Sequence, residues 1–329
     1  MKKLSDNQKN SSKKRFKLFD SNRDGKGVYE VEDRKPTLKF FFVLTKRKFT
    51  QLLQLNLLML MMVVPLLVIL GVYLLGAKTP TITDPLFVPL RGIETIAPSP
   101  SLSPLTDLIG TQIGLPVLNP AMNITIIAMV LFLAITWGWQ NVGAAYVLRG
   151  LFRGDPMFVF SDYFHAIRRN LKQGFFLGLI DFICSAVLIA DFIFFYYRTG
   201  SSFGNDLMYF MIFALILIYM VMRFYLYQLL ITFDSTVFKV IKNSLIFAVL
   251  GVKRNVMAIL GILMLLALHA FFIIWLVPMG ISIPLVLPFV YILALLAFIS
   301  VYAAYPIIDR YMIAPYADTL NDTQISDEE

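Results

Sequence analysis

Six long stretches of the chain carry almost no polar residues. They fall at about 52–76, 123–147, 174–196, 207–231, 256–277 and 285–307. A helix needs roughly 20 apolar residues to cross about 30 Å of hydrocarbon, and each stretch is long enough. The apolar residues run continuously, whereas barrel strands would alternate at every second position. The pattern therefore predicts an all-α polytopic membrane protein with six transmembrane helices. Pro65 lies within the first stretch and predicts a kink there unless neighbours satisfy the freed carbonyl. About fifty residues precede that stretch, and it exceeds the roughly 7–15 residues of a signal-peptide core. It is read as a retained span, not a cleaved leader.

Between the spans the pattern changes. Residues 157–166 contain Phe158, Phe160, Tyr163 and Phe164, and residues 237–250 contain Val237, Phe238, Ile241, Leu245 and Phe247. Both read as amphipathic helices on the cytoplasmic side. Each leads into a basic Asn motif, Ile167-Arg168-Arg169-Asn170-Leu171 and Val252-Lys253-Arg254-Asn255-Val256, at an offset of 85. Such an arrangement is open to two readings, a duplicated unit of the kind common in transporters or two unrelated caps before inward-starting spans. Residues 37–50 interleave Phe40, Phe41, Phe42 and Phe49 with Lys39, Lys46, Arg47 and Lys48, which suits an interfacial helix as well as simple basic flanking.

The segment 77–122 holds eight of the sixteen prolines. Its Pro98-Ser99-Pro100-Ser101-Leu102-Ser103-Pro104 run excludes regular helix, so a lid or tolerated insertion over the external face is expected. The chain thus divides into a basic polar tail (1–36), a six-helix domain (37–316) interrupted by that loop, and an acidic tail (317–329).

Composition agrees with the pattern. Of 329 residues, 58% are hydrophobic and 15% charged, and the mean hydropathy is +0.73. A soluble globule could not cover its surface with so few polar groups. One cysteine, Cys184, excludes an intramolecular disulfide, and only two histidines, His165 and His269, accompany it, so a zinc site is not expected. The net charge of +8 is concentrated: residues 1–50 carry 15 Lys/Arg and 6 Asp/Glu. A basic tail on an apolar body does not suggest nucleic-acid binding.

Loop charges set the orientation. With the N-terminus inside, the cytoplasmic segments hold 24 Lys/Arg and the external ones 3. Both termini are then expected in the cytoplasm.

Charged groups within a bilayer are costly and draw attention to function. Asp181 lies eight residues into the third span, and Arg223 eight residues from the end of the fourth. At about 1.5 Å per residue both sit about 12 Å deep, which predicts an ion pair. It could line a path or fix helix register. Asp191 is expected to meet Arg198 or the external loop, and His269 to bond a neighbouring helix. Gln140 and Asn141 are expected to bond across helices, and Trp137, Trp139 and Trp275 to be ordinary membrane aromatics. Arg168, Arg169, Asn170, Lys253, Arg254 and Asn255 are the candidates for docking a partner on the cytoplasmic side.

No Walker loop, His-Glu-x-x-His or Gly-x-Ser-x-Gly motif occurs, and no catalytic residue, metal or cofactor is expected. Asp20-Ser21-Asn22-Arg23-Asp24-Gly25 opens like a calcium loop, but its twelfth position is Val31 where a bidentate Glu is needed. A solvated turn is the reading.

Three stretches resemble the YesL-like family of bacterial integral membrane proteins. One is Leu55-Asn56-Leu57-Leu58 with Pro65. The most specific runs from Gly143-Ala144-Ala145-Tyr146-Val147-Leu148-Arg149-Gly150-Leu151-Phe152-Arg153-Gly154-Asp155 through Phe160-Ser161-Asp162-Tyr163-Phe164 to Arg168-Arg169-Asn170-Leu171-Lys172-Gln173. The third is Thr232-Phe233-Asp234 with Lys242-Asn243-Ser244-Leu245. The family has a short first external link, so its properties do not extend to the long 77–122 segment. The resemblance implies a multi-helix protein of the bacterial cell membrane, often encoded beside carbohydrate ABC importers, and supplies no catalytic residues. It points to an accessory subunit that contacts ABC permease subunits. The alternative is a small-molecule transporter or channel in its own right, with Asp181 and Arg223 on its path.

Overall fold

The computed structural model describes residues 36–76 and 117–315, with positions 78–79, 92–93, 96–97, 99–101 and 104 between them. The two tails, the Asp20–Gly25 motif and most of the 77–122 segment lie outside the described residues.

The chain is an all-α polytopic protein. Among the described residues six helices are long and apolar enough to cross a membrane: α2 (Phe49–Leu75), α3 (Pro120–Arg153), α5 (Leu171–Tyr196), α6 (Phe203–Thr232), α8 (Val252–Leu276) and α9 (Ile283–Ile313). Each contains the stretch expected from hydropathy, apart from the last residue of the first and fifth. Three shorter helices share one end of the bundle: α1 (Leu38–Arg47), α4 (Val159–Arg169) and α7 (Val237–Leu250).

Local chemistry sets the helix limits. Asn119 caps α3 by accepting from the Ala121 amide at 3.2 Å, and Pro120 follows at the first helical position. Gly154 ends α3 at φ +78°, a conformation that costs glycine little. Ser202 caps α6 through the Asn205 amide. Helix α2 continues through the buried Pro65. A 3₁₀ turn, Val277–Met279, closes α8, and Gly280 at φ +84° reverses the chain. Helix α9 contains two π segments, Pro288–Ile292 and Asp309–Ile313. Lys78–Thr79 pairs antiparallel with Val117–Leu118, which ties together the two ends of the 77–122 segment.

Helix α3 is central and packs against α2, α4, α5, α6 and α9. Its approach to α5 is close because glycines face each other. A Cβ on Gly138 would overlap the Gly174 carbonyl oxygen and the Gly178 Cα, and small residues permit such backbone contact in membranes. One buried cluster, around Tyr225, Leu229 and Ala304, is built mainly from α6 with α7, α8 and α9, and takes in Val142 and Ala145 of α3, Ala166 of α4 and Leu177 of α5. A second joins α1, α2, α3, α4 and α9 around Leu55, Leu148 and Phe298. Only 6–22% of each span's apolar window is buried within the protein, so the outward faces need an apolar solvent.

Helix α1 is docked more firmly than basic flanking requires. Phe41 stacks on Phe298 at 5.7 Å and meets Tyr302 edge-on at 5.2 Å. The Tyr302 hydroxyl also donates to the Thr37 carbonyl at 2.6 Å.

Candidate functional site

Asp181 and Arg223 meet as expected, with Nε 3.0 Å from Oδ1. The pair is the core of a larger cluster drawn from α3, α5 and α6. Trp137 Nε1 donates to Asp181 Oδ2 at 2.7 Å, and the Tyr227 hydroxyl donates to the same oxygen at 2.7 Å. The Tyr219 hydroxyl donates to Oδ1 at 2.5 Å. The Arg223 guanidinium lies over the Trp137 ring, 5.4 Å from its centroid.

A carboxylate offers about four lone-pair directions. Here three donors and one guanidinium take both oxygens, and the Asp181 side chain is 0% exposed. Arg223 retains 32% side-chain exposure and Trp137 and Tyr219 are half-buried, so the cluster reaches the bundle surface through its donors while the carboxylate stays enclosed. Chemically this arrangement stabilises a buried anion and joins three helices. It leaves no acceptor open to a solute.

Helix geometry explains the assembly. Tyr219, Arg223 and Tyr227 are spaced by four and share one stripe of α6. Trp137 precedes Gly138, whose contact with α5 brings the indole within reach of Asp181. Trp139 Nε1 adds a bond to the Leu171 carbonyl at 2.9 Å, at the start of α5. Trp137 and Trp139 are both half-buried, and each uses its indole N–H to bond α5. The four-residue spacing on α6 was available in the sequence as a signal for the two tyrosines.

Other polar residues serve helix ends. Asn56 Nδ2 donates to the Phe289 carbonyl at 2.7 Å, and its Oδ1 accepts from the Ala294 amide at 2.9 Å. It thereby bridges one carbonyl within the first π segment of α9 and one amide just after it. Arg149 donates to the Ile231 carbonyl and the Thr232 hydroxyl, capping α6 at its C-terminus. Gln228 donates to the Ala145 carbonyl at 3.2 Å. The Tyr163 hydroxyl on α4 bonds the Gln140 carbonyl, and burial raises its pKa, so it remains a donor.

Several expectations need correction. Asn255 is buried, accepts from Tyr225 at 2.7 Å and donates to the Ala248 carbonyl at 3.0 Å. It is committed to the α7–α8 corner and is not available for docking. Asn170 donates to the Ala166 carbonyl at 2.9 Å. Arg168, Arg169 and Lys253 are exposed, and Arg254 is half-buried. Among the described residues neither ring nitrogen of His269 has a hydrogen-bond partner, although both are buried. Asp191 makes no ion pair among them, and Arg198 lies over the Phe194 ring at 4.0 Å. The Gln140 side chain bonds Thr136 on its own helix. Asn141 bonds the Trp137 carbonyl at 2.8 Å and reaches across only to Met62 Sδ at 4.0 Å.

Comparisons with family models, curated proteins and solved structures return no match to this chain.

Proposed function

We propose that this chain is a non-enzymatic integral membrane protein acting as a partner subunit of a larger membrane assembly, and that its own bundle carries no solute. The closure of the Asp181 cluster is the observation that supports this reading. A sugar path would need several hydroxyl-binding groups facing one lumen. Here Asp181 is saturated, while Asn56 and Asn255 are committed to helix ends. Exposed aromatic and basic groups offer contact chemistry on an outer face.

At the α1, α4 and α7 end, Phe158 is 80% exposed and Phe160 and Phe164 are exposed beside Arg168 and Arg169. Such an aromatic face with basic flanks suits helix-in-groove docking. Loop charges support a cytoplasmic position for this end and for both termini. The YesL-like resemblance supplies the partner class, the permease subunits of an ABC-type carbohydrate importer in a bacterial cell membrane.

A photocrosslinker placed at Phe160 or Phe164 in native membranes tests the reading. It is expected to capture a permease subunit, and failure to capture one defeats the proposal. The transporter alternative predicts solute flux in liposomes that is abolished by Asp181→Ala or Arg223→Ala. Such flux would overturn the subunit reading.

A further inference from the structure

A cavity of about 540 Å³ lies between α1, α8 and α9, within the roughly 300–1,000 Å³ range of small-ligand sites. Its walls are apolar, with Phe41 and Phe42 from α1, Met257, Met264 and Leu268 from α8, and Ile299 from α9. Lys253 and Arg254 stand at one end, and among the described residues no acidic side chain lines it. Lining residues on α8 run from 253 to 268, about 22 Å at 1.5 Å per residue. That is longer than the roughly 15 Å of one leaflet's hydrocarbon, half the usual core thickness.

Arg254 also lines a second cavity of about 470 Å³ with Arg153, Tyr305 and Asp309. It therefore separates an apolar groove from a polar chamber. Neither Lys253 nor Arg254 makes an ion pair among the described residues. Both belong to the first turn of α8, which carries no acid. Cations at a helix N-terminus oppose the helix dipole, and an anion bound beside them relieves that opposition. The cations also lie at the end of a span, where hydrocarbon gives way to headgroups.

We infer that this groove binds one anionic phospholipid, its phosphate held by Lys253 and Arg254 and one acyl chain laid along α8 and α9 beneath α1. The methionines suit the occupant, because their flexible side chains adapt to an irregular apolar guest. Charge selects the lipid, and groove length selects a chain over a small soluble phosphate.

Native mass spectrometry of the full chain in detergent tests this. The probes are phosphatidylglycerol and phosphatidylcholine with identical acyl chains, and glycerol 3-phosphate as the soluble arm. Two basic groups are expected to give about a thirtyfold preference for phosphatidylglycerol. K253Q/R254Q is expected to bring the preference close to one. Gly261→Leu probes the chain site without touching charge: a Cβ there meets only Ile299 Cγ2, at 3.6 Å, so a longer side chain can enter the groove without backbone overlap. It is expected to lose the retained lipid. Circular dichroism melting checks that both variants fold.

Equal retention of the two lipids by the wild type would mean an annular layer only and would overturn the inference. So would displacement of the lipid by glycerol 3-phosphate, or undiminished retention by a folded Gly261→Leu.

Discussion

Asp181→Ala removes the acceptor of Trp137, Tyr219 and Tyr227 and the counter-charge of Arg223 in one step. In a soluble core, stranding one member of a buried ion pair costs about 3–5 kcal/mol. Two features lower the figure here. Arg223 keeps 32% of its side chain exposed, so its share falls towards the roughly 1 kcal/mol upper value of a surface pair. Interhelical hydrogen bonds in membranes average about 0.6 kcal/mol, because the unfolded helices also find partners within the bilayer. Three such donors contribute about 2 kcal/mol, and the ion pair about 1 kcal/mol more. The expected loss is about 3 kcal/mol, a sizeable part of the roughly 5–15 kcal/mol that holds a typical domain together.

Reversible unfolding in mixed micelles with increasing dodecyl sulfate measures the loss. Tryptophan emission is a suitable probe, because Trp137 is one of only three tryptophans and its indole N–H points at the substituted group. The variants should rank in a fixed order. Asp181→Ala costs most, Arg223→Leu about 1 kcal/mol, and Tyr219→Phe and Tyr227→Phe about 0.6 kcal/mol each. The cluster would not join the three helices if Asp181→Ala cost less than about 0.5 kcal/mol, the scatter of ordinary surface substitutions. Should Arg223→Leu cost more than Asp181→Ala, the ion pair and not the neutral donors would carry the energy.

Three further outcomes follow from the packing. Gly138→Ala forces a methyl into the Gly174 carbonyl oxygen and should cost about 1–3 kcal/mol as overpacking, whereas Gly261→Ala makes an ordinary contact and should leave the melting temperature in detergent unchanged. Asn56→Leu strands backbone groups of α9 and should cost about 1–3 kcal/mol, with faster hydrogen exchange at the Ala294 amide as its local signature; unchanged exchange would sink the bridging role. Cys184 is exposed on α5, so Cys184→Ala should shift stability by less than about 0.5 kcal/mol. In that background, cysteines at Arg169 and Thr199 should label from opposite sides of the membrane, and labelling from one side would remove α5 from the spans.

The spans were readable because hydrocarbon imposes a simple length and polarity rule, and Asp181 with Arg223 because charge at matching depth has few alternatives. The remainder of the cluster was hidden by residue type. A tryptophan or tyrosine in a span has an adequate explanation as an interfacial aromatic, so its N–H or O–H carries no sign of its partner until the helices are placed. Asn56 was concealed differently. The backbone groups it bonds lie within and just after a π segment over two hundred residues away, and nothing in local spacing announces that irregularity. The docking role of Asn255 failed because the Arg-Asn motif was treated as a surface feature, whereas its Asn faces the corner between two helices.

That corner also bears on the repeated order of elements. A long span, a short helix and a second span occur twice, as α3–α4–α5 and α6–α7–α8. The single-residue junctions are Asn170 and Gly251, 81 positions apart, not the 85 that aligns the basic motifs. The matching asparagines therefore do not occupy equivalent places, since Asn255 sits a full turn inside α8. In the first unit Gly174 and Gly178 let α5 lie against α3 at Gly138. At the 81-residue offset α8 carries Asn255 and Ile259, and α6 has no glycine beyond Gly204. Side chains of that size forbid the same backbone approach. Helix α8 packs on α9 instead, and the lipid-sized groove lies along that contact. Whatever the ancestry of the two units, facing glycines in the first and larger side chains at the matching positions of the second go with a close-packed polar cluster on one side of the bundle and an apolar groove on the other.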